Sequence, residues 1–293
     1  MDTYRITTLV ENTAAGTLAG EHGLSFLIKT PEGAVLFDTG QGHAISANVG
    51  ALGVDLSRVT AIALSHGHYD HTGGLAWALD NCRGVDVYVH PAALEPKFAC
   101  EPGSAPRDIG IQMEPEAMRT HLNLRRLVFT EAPAEIAPGL FLTGEVPRVT
   151  DFEDTGGPFY RDGECREPDV LPDDQALYFE GSDGLVVVLG CAHAGVVNTL
   201  RRALQLAGKT RIHAVLGGMH LVRADRRRMQ ATLEAFEKMQ VERIGACHCT
   251  GLPATVELWK RFPDRSFECR TGTVMEFQAA ATQMPPTAGE TRR

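Results

Sequence analysis

The hydrophobic pattern of the chain is a series of short apolar runs broken by turns rich in glycine and proline. Such a pattern predicts many strands interleaved with a few helices. Residues 6–10 alternate weakly and residues 24–30 clearly. Residues 34–37 follow a Pro31-Glu32-Gly33 turn, which predicts a hairpin whose second strand ends in Asp38-Thr39-Gly40. Residues 59–64 and 85–89 are apolar and β-prone, with helical stretches expected within 44–58 and at 75–79. Residues 176–180 and 184–189 predict a second hairpin, its second strand apolar throughout and so buried on both faces. Strands are also expected at 213–221 and around 244–246, a closing strand at 272–277, and helices at 197–207 and 223–239. Between 92 and 174 the pattern loosens, with a helix expected at 114–122 and a strand at 125–129. A long irregular stretch of this kind reads as an insertion covering a functional face. Beyond residue 278 the chain is polar and reads as a disordered tail.

The polar exceptions to this pattern cluster where strands end. After residues 59–64 comes Ser65-His66-Gly67-His68-Tyr69-Asp70-His71-Thr72-Gly73-Gly74, a strand-to-helix turn dense in metal donors. Neutral imidazoles and a carboxylate suit zinc, iron or manganese. His66 and His68, two apart, can share one metal, and Asp70 and His71 can reach a second beside it. A surface histidine turn without metal is the alternative. Against it, further strands also end in histidine turns: Gly190-Cys191-Ala192-His193, Gly217-Gly218-Met219-His220 and Cys247-His248-Cys249. No second cysteine pair accompanies Cys247 and Cys249, so a separate structural zinc site is not expected there.

The H-x-H-x-D-H pattern after a strand resembles the signature of the metallo-β-lactamase-fold hydrolases. The resemblance runs from about residue 6 to 277. It implies an α/β four-layer αββα sandwich, two mixed sheets packed face to face with helices outside. It also implies a single domain over 1–278 with an insertion at about 92–174, although length alone leans to two domains. Asp38 would orient ligand histidines from beneath, and His248 would join Asp70 and His71 at a second metal. The superfamily usually carries a further histidine where this chain has Gly144-Glu145, and an aspartate where it has Cys191. That departure narrows the resemblance to proteins named after a dihydropterin-(ribofuranosyl)aminobenzene-phosphate synthase. Gly144-Glu145-Val146-Pro147-Arg148, Asp173-Asp174-Gln175-Ala176 and the Cys191-to-Gly195 segment follow in that branch's order. The expected metal ligands are thus His66, His68, Asp70, His71, His193 and His248, with His193 replacing the missing histidine. Asp70 and His220 are the expected catalytic groups, and Arg148, Glu145 and His220 the expected substrate contacts. Cys191 reads as a small buried residue, with metal contact as the alternative, and His22, His43 and His90 read as bystanders.

Composition changes this picture little. A net charge of -9 argues against a nucleic-acid partner. Seven cysteines at irregular spacing, with no basic-then-apolar leader in the first residues, predict reduced thiols and a cytoplasmic setting. No apolar run is long enough to span a bilayer. The expected cofactors are two divalent metal ions, zinc first. The expected partner is a small-molecule substrate, and a homo-oligomer is compatible with the chain. The leading functional expectation is hydrolysis of a small ester, lactone, amide or phosphoester by metal-activated hydroxide. The branch name implies an alternative, a transferase joining a dihydropterin to a ribofuranosyl-aminobenzene phosphate. A di-iron redox protein is a third.

Overall fold

The computed structural model describes residues 3–280, so all but the first two residues of the expected disordered tail lie outside the described residues. In chain order the strands are β1 (Thr3–Val10), β2 (Ser25–Lys29), β3 (Ala34–Phe37), β4 (Val59–Ala63), β5 (Val85–Val89), β6 (Phe98–Ala99), β7 (Arg107–Asp108), β8 (Leu124–Phe129), β9 (Ala134–Ala137), β10 (Leu140–Leu142), β11 (Phe159–Tyr160), β12 (Leu177–Gly181), β13 (Gly184–Leu189), β14 (Ile212–Gly218), β15 (Arg243–Cys247) and β16 (Val274–Gln278). The helices are α1 (Ile45–Ala51), α2 (Tyr69–Thr72), α3 (Leu75–Asn81), α4 (Pro115–Arg119), α5 (Val196–Ala207), α6 (Arg226–Lys238) and α7 (Leu252–Arg261).

Two large sheets form, ordered β16-β1-β2-β3-β4-β5-β8 and β15-β14-β13-β12-β10-β9. Each is mixed in the same way. The first is antiparallel from β16 to β3 and parallel from β3 to β8. The second is antiparallel from β9 to β13 and parallel from β13 to β15.

The two-residue period of the strands sorts side chains into three apolar layers. Phe26, Ile28, Val35 and Phe37 of the first sheet meet Leu177, Phe179, Val186 and Val188 of the second between the sheets. The intervening Leu27 and Leu36 face α1 and α3 through Ile45, Leu75 and Leu79. Leu185, Val187 and Leu189 face α5, α6 and α7 through Val197, Leu200, Phe236 and Leu258. This is the αββα arrangement the motifs imply. Parallel strands bring their carboxyl ends to one edge, where ligand crevices form in α/β sheets. The turns leaving β4, β13, β14 and β15 carry the histidines.

Two expectations are corrected. Not all of residues 92–174 is an insertion over the metal face. β8 closes the edge of the first sheet, and β9 and β10 extend the second. These strands are short and half-exposed, so their alternation is weak. What covers the face is a small third sheet, β11-β6-β7. The cysteines are also not all reduced, because Cys100 and Cys165 form a disulfide across the base of this small sheet. Sixty-five positions separate them in sequence, and the fold of the covering segment alone brings their Cα atoms to 6.1 Å. The other five cysteines are free and buried. No described helix is long and apolar enough to cross a membrane.

Candidate metal centre

Four strand ends deliver the site in strained backbone. Asp38, Ala192, His220 and His248 all have positive φ, at 59°, 55°, 46° and 51°. Non-glycine residues in that region cost of order 1 kcal/mol or more, and such strain clusters at functional sites. Two glycines make the close approaches. A Cβ on Gly190 would lie 2.1 Å from Ser65 Oγ, and one on Gly67 would lie 2.3 Å from the Ala93 carbonyl oxygen. Gly67→Ala is therefore expected to cost roughly 1–3 kcal/mol, seen as a lower denaturant midpoint with unchanged slope.

The turns are braced by the Asp173-Asp174-Gln175 segment. Gly67 N–H donates to Asp173 Oδ2 at 2.8 Å, and Ala194 N–H to Asp174 Oδ2 at 2.8 Å. Gln175 donates to the Leu64 carbonyl and to Thr130 Oγ1, both at 2.9 Å. One short segment thus ties the turn after β4 to the turn after β13. Buried Lys97 sits beneath, 3.0 Å from Asp173 Oδ1 and 2.9 Å from Asp169 Oδ2. Burial pushes the Asp174 carboxyl up to about 7, against the N–H groups of Ala194 and His193.

The histidines converge, and their hydrogen bonds fix which ring nitrogen faces inward. His71 Nδ1 donates to Asp38 Oδ2 at 2.7 Å. His193 Nδ1 donates to the Thr155 carbonyl, and His248 Nδ1 to Asn12 Oδ1, each at 2.8 Å. Ser65 Oγ donates to Asp38 Oδ2 at 2.7 Å and so can accept from His66 Nδ1 at 2.9 Å. With each Nδ1 committed as a donor, it is the Nε2 atom of each of these four rings that turns into the site. The inward nitrogens lie close together. His66 Nε2 is 3.1 Å from His68 Nδ1, and His71 Nε2 is 3.2 Å from His248 Nε2. His193 Nε2 is buried with no hydrogen-bond partner among the described residues. Ring nitrogens this close in a dry pocket must share a proton or a cation between them. Donors around a tetrahedral metal at ~2.0–2.1 Å are roughly 3.3 Å apart, so the spacing fits a shared ion.

Two groupings result. His66, His68 and His193 bring their ligand atoms within 4.8 Å of one another. Beside them, Asp70 Oδ2 is 3.2 Å from His248 Nε2 and 3.9 Å from His71 Nε2. Cys191 Sγ lies 3.1 Å from His71 Nε2, among the donors rather than apart as a buried spacer. Burial holds His68 down to about 3 despite nearby Asp70. His71 is the exception: burial opposes its charge, but Asp38 and Asp70 outweigh it and raise the imidazole to about 9. Without a metal, a proton serves that carboxylate-rich spot.

His220 faces the same space, its ring centroid 4.2 Å from that of His193. A cleft of about 340 Å³ opens above these groups. Glu145 and Arg148 do not line it, contrary to expectation. Glu145 pairs with His90 at 3.2 Å, and Arg148 donates to the Val170 carbonyl at 2.7 Å. The segment they share turns away after β10, which no local pattern announces. His22, expected to be a bystander, sits at the mouth 3.3 Å from Asp70 Oδ2. Its loop has no periodicity to place it. Asn12 and Glu11, which hold the His248 ring and its backbone N–H, were equally invisible as site residues.

The comparisons agree with this geometry. Residues 18–203 match the model of the metallo-beta-lactamase superfamily. A 7,8-dihydropterin-6-methyl-4-(beta-D-ribofuranosyl)-aminobenzene-5'-phosphate synthase of Methanocaldococcus jannaschii is 29% identical, over 94% of this chain and 98% of its own. An uncharacterized protein of that organism is 32% identical, over 85% of this chain and 92% of its own. A crystal structure of a metal-dependent hydrolase of the beta-lactamase superfamily superposes with a TM-score of 0.78 at 29% identity, covering 94% of this chain and 99% of the other. With sheet order, donor turns and matched sequence in accord, the chain belongs to the metallo-beta-lactamase superfamily.

Proposed function

We propose that the protein is a metal-dependent hydrolase of a small ester, lactone, amide or phosphoester. The observation that carries this reading is the convergence of inward ring nitrogens, two pairs of them 3.1 and 3.2 Å apart, with four of the five rings oriented by an Nδ1 hydrogen bond. His66, His68 and His193 would hold one divalent ion, and Asp70, His71 and His248 a second, with Cys191 beside both. Zinc fits this donor set first, and iron or manganese also suit it. Such ions supply Lewis acidity and ionise water near neutral pH.

The chain's own residues do the rest. Asp38 keeps the His71 ring oriented and its Nδ1 protonated. Thr155 and Asn12 do the same for His193 and His248. Asp70, 3.3 Å from His22 and 3.2 Å from His248, is a carboxylate placed to orient the attacking water. His220, with its Nδ1 buried and unpartnered among the described residues, is placed to contact substrate or to protonate a leaving group. Phe159, 5.0 Å from His68 and 5.2 Å from His193 ring to ring, limits access of bulk water.

Asp38→Asn tests the orienting role. It is expected to weaken metal affinity 10–100-fold, the usual effect of losing such a partner, measured by competition with a chelating dye. The reading itself is tested by metal analysis of protein purified without chelators, then a screen of esters, lactones and phosphoesters. The relative named as a synthase supports a second reading, transfer in place of hydrolysis. Pyrophosphate release from a dihydropterin diphosphate plus a ribofuranosyl-aminobenzene phosphate would favour it. Turnover of simple esters with no such release would favour hydrolysis.

A further inference from the structure

We propose that Arg107 is the specificity-determining residue of the cleft, and that it takes the acid group of a substrate whose anionic end lies remote from the reacting bond. The inference rests on the reading of this cleft as a substrate site and adds a substrate class to it.

The small sheet supplies the geometry. Ala99 of β6 pairs with Arg107 of β7 on one side and with Phe159 of β11 on the other. Directly paired residues share a face of a sheet. Phe159 puts its ring against His68, His193 and His220. Arg107, Ala99 and Phe159 therefore form a row on the face turned toward the metal centre, and all three line the cleft.

Charge then singles out Arg107. The other titratable groups lining the cleft, the candidate ligands aside, are Glu101, Arg223, Cys249, Tyr69, His22 and His220. Glu101 and Arg223 pair with each other. Asp70 is engaged by His22, His71 and His248. Among the described residues the Arg107 side chain makes no ion pair or hydrogen bond, in a chain of net charge -9. A guanidinium offers a planar fork suited to a carboxylate or a phosphate.

The row also sets a length. Two strand spacings separate Arg107 from Phe159, roughly 10 Å. An anion on Arg107 is thus separated from a group over the histidines by a body the size of a ring or short chain. Ala99, Ile109 and Val222 give that body apolar wall.

The test uses zinc-loaded full-length protein and calorimetric binding of 4-phenylbutyrate, 3-phenylpropylphosphonate and the uncharged 4-phenylbutyramide. The wild type is expected to prefer the acids over the amide by roughly tenfold or more, the scale of a charge-assisted hydrogen bond. That preference should largely vanish in Arg107→Met, which keeps the aliphatic stem, and partly return in Arg107→Lys. Which acid gains more identifies a carboxylate or a phosphate as the recognised group. An undiminished preference in Arg107→Met, or no preference in the wild type, overturns the proposal. Binding needs no turnover, so an inactive protein with an Arg107-dependent preference would sink the hydrolase reading and leave this one standing.

Discussion

Replacing His193 with alanine is expected to remove the metal proposed for His66, His68 and His193 and to lower the proposed hydrolytic turnover roughly a thousandfold or more. Several kcal/mol of charge stabilisation by the ion is at stake, and each ~1.4 kcal/mol is a factor of ten. His193 is the informative ligand because it reaches the 66–71 turn from β13, more than a hundred residues later in the chain. Its ring centroid is 4.8 Å from those of both His66 and His68. The fold should survive, since β13 and α5 are held by apolar packing independent of the ring. Metal content by mass spectrometry and far-ultraviolet circular dichroism check both halves. His121→Ala, a half-buried histidine bonded to Asp80 and far from these turns in sequence, should change neither. Equal metal content in His193→Ala and wild type would remove His193 from the centre.

The largest stability effect is expected at Lys97. This side chain is almost fully buried with Asp169 and Asp173. Lys97→Met leaves two buried carboxylates without their cation, which costs about 3–5 kcal/mol. In a domain of this size that lowers Tm by roughly 10 °C. Burial opposes the Lys97 charge, but Asp173 and Asp169 prevail and raise its pKa. A raised lysine contributes stability that is complete below the ordinary lysine value and is lost only as pH rises through the folded value. The deficit of Lys97→Met should therefore shrink in strong alkali, and also toward acid as the two uncompensated carboxylates of the variant take up protons. Thermal melts of both proteins from acid to alkali measure it. Because Asp173 also holds Gly67 N–H, the variant should bind metal more weakly as well.

Much of this was legible in the sequence because strands buried on both faces leave continuous apolar runs. β4 and β13 stand out for that reason, and the polar residues immediately after them cannot belong to the core. The donor turns were legible as turns, and the H-x-H-x-D-H spacing as chemistry. Asp38 was picked out only through the resemblance, since an aspartate at a strand end also reads as a simple turn. The small sheet was not legible, because two-residue strands have no period to detect. The Cys100–Cys165 disulfide was not, because pairing across a loose segment depends on its path. No sequence pattern marks Lys97, because its burial depends on Asp169 and Asp173 folding over it from more than seventy residues away. Arg148 and Glu145 were misplaced by their motif order, which says nothing of where a chain turns after a short edge strand. His22 and Cys191 were undervalued, since isolated donors become significant only when tertiary structure lends them neighbours.

The most direct measurement is anomalous diffraction at the zinc edge from crystals grown with zinc and without chelator. The account predicts strong peaks between the inward nitrogens of His66, His68 and His193, and among Asp70, His71 and His248. An empty edge at the β4 and β13 turns, with zinc absent or bound elsewhere, would contradict it.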